Sequence, residues 1–125
     1  MDYKQTVDWL KSYKGIVEKI ETIENDMQGV KGISYTNEAS STGKQKELID
    51  FVIKKEELEK QALEIKEAVE SVPNFYQRTV LEYKYINGRS FEWIAKHMHY
   101  STSGVFKIHR KGIFEIIKRV QKVQK

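Results

Sequence analysis

Between Leu48 and Val72 the apolar residues return at alternating intervals of three and four. The series is Leu48, Phe51, Leu58, Ala62, Ile65, Val69 and Val72, with Lys55 as the one polar residue in the register. An α-helix turns once in about 3.6 residues, so this spacing puts all eight positions on one stripe. A half-buried strand needs a period of two, which the segment lacks. The spacing predicts a helix over about 45–71, and its seam must be buried against another element.

A partner stands upstream. Tyr3, Val7, Leu10, Tyr13, Val17, Ile20 and Met27 also follow helical steps, with Lys, Glu and Asp on most other faces, which predicts a helix over about 3–27. Gly15 is its weak point, costing about 1 kcal/mol relative to Ala. Residues 28–44 (QGVKGISYTNEASSTGK) hold three glycines and a Ser/Thr cluster, the composition of a long loop. The simplest burial is a coiled-coil-like antiparallel hairpin over residues 1–72. The rival is pairing of the same seams between copies, giving a homo-oligomer through the N-terminal helices.

Pro73, the only proline, disfavours helix at Val72 and opens a second helical system over 73–125. Composition changes at the same point. Residues 1–72 carry 11 Lys+Arg against 15 Asp+Glu, whereas residues 73–125 carry 11 against 3. An acidic half joined to a basic half implies that the second half meets a polyanion. Charge alone does not separate nucleic acid from an anionic membrane surface.

Local punctuation in the basic half predicts three helices. The first covers about 74–86, with Phe75, Val80, Leu81 and Tyr85 facing inward, and stops at Asn87-Gly88, where glycine takes a left-handed conformation. Ser90 caps a two-turn helix, Phe91 to Met98, that has Glu92 in its first turn and buries Ile94, Ala95 and Met98. After His99-Tyr100, Ser101 caps a helix from Thr102 to about Val120, with an inward stripe of Val105, Ile108, Ile113, Ile116 and Val120 and with Phe114 and Ile117 nearby. A short helix, a three-residue turn and a capped helix, with small Ala95 at the crossing, form the pattern of a helix-turn-helix. In that arrangement the last helix enters the major groove of double-stranded DNA. Ser101, Thr102, Ser103, Phe106, Lys107, Arg110 and Lys111 are its outward, DNA-binding candidates: Arg and Lys for phosphates and guanine, Ser and Thr for phosphates and bases, Phe106 for a thymine methyl. Backbone amides near Ser90 and Ser101 add phosphate-binding groups.

The stretch VPNFYQRTVLEYKYINGRSFEWIAKHMHYSTSGVFKIHRKGIFEII resembles region 4 of sigma-70-type factors. The first helix ends in Y-x-x-G, S-F-E-x-I-A begins the second, and Y-S-x-S-x-V opens the third. More narrowly, HYSTSGVFKIHRKGI with the preceding LIDFVIKKEELEKQ resembles the RinA/ArpU-type phage transcriptional regulators. The resemblance is strong over about fifty C-terminal residues, looser over 33–72, and adds little over 1–32. It implies a regulator of phage or prophage late genes in the cytoplasm of a Gram-positive bacterial host. It also implies DNA contact by Thr102, Ser103, Phe106 and Lys107, with Arg110 and Lys111 beyond them. Two positions depart from the sigma pattern: His99 replaces the usual glycine of the turn, and Phe106 stands where a charged reader is common. The upstream regions that melt DNA are missing, which argues against a complete sigma factor.

Other chemistry finds little footing. Cysteine is absent, and His97, His99 and His109 have no carboxylate cluster beside them, so no metal or cofactor is expected. No nucleophile–base pattern or phosphate loop suggests catalysis. Trp9 and Trp93 read as core or interface residues, the Glu/Lys run at 54–60 as a solvated helix face or a docking face for host RNA polymerase, and Lys118–Lys125 as a phosphate-gripping tail or a soluble helix end. No apolar run approaches a membrane span and the N-terminus lacks signal-peptide order, so a cytoplasmic protein without a membrane partner is expected. Two functions compete with transcription regulation: a small terminase-like DNA-packaging accessory, and an adaptor that binds polymerase and touches DNA weakly.

Overall fold

The computed structural model describes residues 1–33 and 41–123, and all their regular structure is helical. The elements are α1 (Tyr3–Ile33), α2 (Ser41–Glu70), α3 (Phe75–Leu81), α4 (Phe91–Met98) and α5 (Thr102–Val123), with α3 continued by a π-helical turn at Glu82–Ile86. The all-α class expected from the periodicity is the one observed. No helix among the described residues is long and apolar enough to cross a membrane.

A reciprocal cap starts α1. Asp2 Oδ1 accepts from the Gln5 amide at 2.8 Å, and Gln5 Oε1 accepts from the Asp2 amide at 3.0 Å, satisfying donors that a first turn leaves unpaired. Both N-terminal helices outrun their sequence signals. Residues 28–33 and 41–44 of the expected loop are helical, and 34–40 lie outside the described residues. Extending an existing helix gains one hydrogen bond per residue ordered, without the cost of nucleation. Gly29, Gly32 and Gly43 are thereby held in helix despite a penalty of about 1 kcal/mol each.

Contacts divide the chain into two compact units: Gly15–Ala62, and Met1–Lys14 together with Leu63–Lys125. Within the first, the three-four register decides burial. Leu48, Phe51, Leu58 and Ala62 are half-buried, while the equally apolar Ile49 and Ile53 are 58% and 59% exposed. Lys55, the polar member of the register, lies on the same half-buried stripe. Its Nζ is 3.4 Å from Glu24 Oε1 on α1 and 3.6 Å from Glu59 Oε1 one turn on, so α1 and α2 lie side by side there.

The second unit holds the main core. Leu10, Ile65, Val69, Val72, Val80, Leu81, Ile94, Val105, Ile113 and Ile116 are fully buried. The end of the α2 seam and the predicted α5 stripe thus both supply core residues. Helices α3 and α5 cross closely at Gly112, where an added Cβ would lie 2.9 Å from Leu81 Cδ1 and 3.5 Å from Gln77 Cβ. One inward expectation is corrected: Phe75 is 62% exposed. Five residues separate it from Val80, a rotation that turns it away from the Val80–Leu81 face. Its ring instead meets Tyr76 edge-on at 5.6 Å and carries the Arg78 guanidinium at 5.8 Å.

Candidate nucleic-acid interface

Three local devices set the geometry from α3 to α5. First, the π turn ends at Gly88, whose φ of 71° is left-handed, and the Arg89 amide returns to Tyr83 O at 2.9 Å. Second, α4 starts with Ser90 Oγ accepting from the Trp93 amide at 3.1 Å. Its end is a paired C-terminal cap: the Tyr100 amide bonds Ala95 O at 2.9 Å and the His99 amide bonds Lys96 O at 3.3 Å. His99 at φ 62° is the left-handed residue of this cap. Third, Ser101 Oγ accepts from the Gly104 amide at 3.1 Å and caps α5.

Between α3, α4 and α5 the buried cluster is Val80, Ile94, Ala95 and Val105, flanked by Tyr83, Phe91, Trp93, Met98 and Ile108. Ala95 is therefore at the helix crossing, as its size suggested. On the opposite face of α5, Ser101, Thr102, Ser103, Phe106, Lys107, Arg110 and Lys111 are all exposed. Along α5 itself no carboxylate occurs before Glu115, while the exposed Glu92 of α4 lines an open cavity together with Ser101 and Thr102. Phe106 is anchored on its inner side by Phe91, with ring centroids 4.8 Å apart. The Arg110 guanidinium stands 5.9 Å from the Phe114 ring.

His109 belongs to the core side of α5 rather than to this face. It is 6% exposed and shares a 2.6 Å hydrogen bond between Nε2 and the Tyr85 hydroxyl. Burial, reinforced by Lys84 and Lys11, pulls its imidazole down to about 4. Burial also holds the Tyr85 phenol well above its ordinary range, with Tyr3 adding to the effect. Both groups are neutral near pH 7, which is how a polar pair survives in the core.

Two cations that the sequence reading did not single out are positioned by aromatic rings. Lys84 Nζ lies 4.4 Å from the Phe91 centroid, and the Arg89 guanidinium lies 4.5 Å from the Trp93 centroid. Trp93 is in turn stacked on His97 at 4.6 Å and 10°. The GRSFEW spacing carried this signal, since Arg89 and Trp93 lie four residues apart around a helix start. Among the described residues no three His, Asp or Glu side chains converge on a possible metal position. The chain matches no protein-family model, no curated protein and no solved structure.

Proposed function

We propose that the chain is a sequence-specific double-stranded DNA-binding transcription regulator that lays the start of α5 in the major groove. The observation that carries the reading is the exposed stretch Ser101–Lys111, which presents Lys107, Arg110 and Lys111 with no carboxylate within α5 before Glu115, on a helix whose other face is buried. Lys107, Arg110 and Lys111 neutralise phosphates or meet guanine, Thr102 and Ser103 contact phosphates or base edges, and Phe106 offers an apolar contact to thymine. The phage or prophage late-gene setting rests on the resemblance to RinA/ArpU-type regulators alone, and host RNA polymerase as a partner on the charged run at 54–60 of α2. Self-association through the N-terminal helices is part of the same proposal and rests on Leu48, Phe51 and Leu58, the apolar positions of the α2 seam that remain half-buried.

The test is selection of bound genomic fragments followed by footprinting, with Lys107→Ala and Arg110→Ala alongside. One narrow, salt-sensitive site is expected. Loss of a base-contacting side chain costs about 1–3 kcal/mol, and loss of a phosphate contact lowers the salt slope by about 1. Uniform binding everywhere, or specific binding that survives both substitutions with affinity and salt slope unchanged, would sink the reading.

A further inference from the structure

A small open cavity of about 200 Å³ is lined by Lys11, Lys14, Lys84, Tyr85, Gly88 and Arg89. Four of its six lining residues are cationic and none is acidic. The ion pairs found among the described residues are both made by Lys55, so none of these four cations is neutralised by a carboxylate there. The pocket lies wholly within one compact unit, because Lys11 and Lys14 end the segment of α1 that belongs with Leu63–Lys125. Gathering four like charges is unfavourable unless a counter-charge occupies the space between them. The positive field also reaches the interior, where Lys84 and Lys11 help to keep His109 neutral.

We infer that this pocket is a binding site for a phosphate group, held jointly by Lys11, Lys14, Lys84 and Arg89. Residues that line a space of this size and carry ammonium and guanidinium donors suit a compact, multiply acceptor-bearing anion. Two of the cations are held in place before any ligand arrives, Lys84 by Phe91 and Arg89 by Trp93, so less side-chain freedom is lost on binding. Phe91 also touches Phe106, which links the pocket to the proposed DNA-reading surface through one ring. The phosphate has two possible sources, a phosphodiester of a bound duplex or free phosphate. Only the first rests on the DNA-binding reading. In that case the acidic N-terminal half contributes directly to DNA affinity through two lysines.

The experiment compares the full chain with Lys11→Gln/Lys14→Gln and with Lys11→Arg/Lys14→Arg, using two probes. Neither lysine is on the α5 surface. The first probe is a mixed-sequence duplex, titrated at several salt concentrations. One lost phosphate contact reduces the slope of log K against log salt by about 0.9, so between 50 and 200 mM salt the Gln pair should lose ~3.5-fold less affinity than the parent chain. The Arg pair should keep the parental slope. The second probe is inorganic phosphate, followed by NMR of the lysine side chains and the Gly88 and Arg89 amides. Saturable shifts in the parent chain, absent from the Gln pair and present in the Arg pair, with an unchanged duplex slope, would identify free phosphate as the ligand. If the parent chain binds no duplex, the DNA-binding reading fails while the phosphate titration still decides the pocket. If the Gln pair, with parental helix content and melting temperature, matches the parent on both probes, the inference is overturned. Should the Gln pair melt early, Arg89→Gln at an exposed lining position decides in its place: a lowered duplex slope or a lost phosphate response supports the inference, and parental behaviour on both probes overturns it.

Discussion

His99 occupies a conformation that an L-residue adopts at a cost, because at φ 62° its Cβ crowds the following carbonyl. Both hydrogen bonds of the cap after α4 depend on that conformation, so the strain is accepted rather than relieved. Glycine has no Cβ to crowd. His99→Gly should therefore raise stability by about 1 kcal/mol, seen as a higher midpoint in urea with an unchanged slope. An unchanged or lower midpoint would mean that the His99 ring contributes contacts worth more than the strain. A second residue-scale expectation concerns His109. Its folded value of about 4 lies below the unfolded 6.5, so between those limits the unfolded chain binds a proton that the folded chain does not. Stability should fall as pH is lowered from 6.5 to 4, by at most about 1.4 kcal/mol per pH unit, and this contribution should stop changing below 4. His109→Leu, which cannot titrate, should flatten the profile in that window when urea midpoints are measured across it. Tyr85→Phe should instead cost about 1–3 kcal/mol near neutral pH by leaving Nε2 buried without a partner. Identical pH profiles for the parent chain and His109→Leu would remove the histidine from the account.

Elements divide according to whether their determinants are local. The α2 seam and the caps at Ser90 and Ser101 were legible because each depends on residues within a few turns, and the structure uses those positions. Helix ends were less so: the glycines near 28–44 signal a break, but propagation from α1 and α2 overrides them. The π turn at Glu82–Ile86 was not legible at all, because its sequence EYKYI also suits an α-helix. Phe75 was misplaced because composition in a short segment does not fix which face is inward. Glycines make the contrast testable. Gly15 has no atom within 4 Å of a virtual Cβ, whereas Gly112 would bring one to 2.9 Å from the fully buried Leu81. Gly15→Ala should stabilise by about 1 kcal/mol through helix propensity alone. At Gly112→Ala the same gain is opposed by overpacking worth about 1–3 kcal/mol, and with Leu81 unable to move into solvent the net should be a loss. Thermal unfolding of the two variants side by side checks the pair. Equal stabilisation would show that α3 and α5 separate easily at their crossing.

At the scale of the whole molecule, the sequence shows one boundary at Pro73 and a charge change beside it, while the contacts draw another. Pro73 ends a helix without ending a compact unit. Arg78 Nη1 donates to Val72 O at 3.0 Å across it, and the Tyr3 ring lies 5.6 Å from that of Phe114 on α5. Trp9 and Ala68 share a cavity of about 430 Å³ with Ile116 and Val120, which brings α1, α2 and α5 together. The α5 surface was readable because seven residues within three turns compose it. The Lys11–Lys84 pocket was not, since no local spacing joins residues more than seventy positions apart. A consequence follows for any fragment that starts at Pro73. It would keep every outward residue of α5 but lose Leu10, Ile65, Val69 and Val72, each fully buried in the intact unit. Burying such a side chain contributes about 1.5–3 kcal/mol, against a total stability of roughly 5–15 kcal/mol for a small domain. The fragment 73–125 should therefore melt far below the full chain, or show no cooperative transition in far-UV circular dichroism. The duplex affinity proposed for α5 should fall with it, because a surface on an unfolded helix must be ordered at the expense of binding. A fragment that melts at the same temperature as the intact protein would show that the first turns of α1 and the end of α2 merely rest on a self-sufficient three-helix domain.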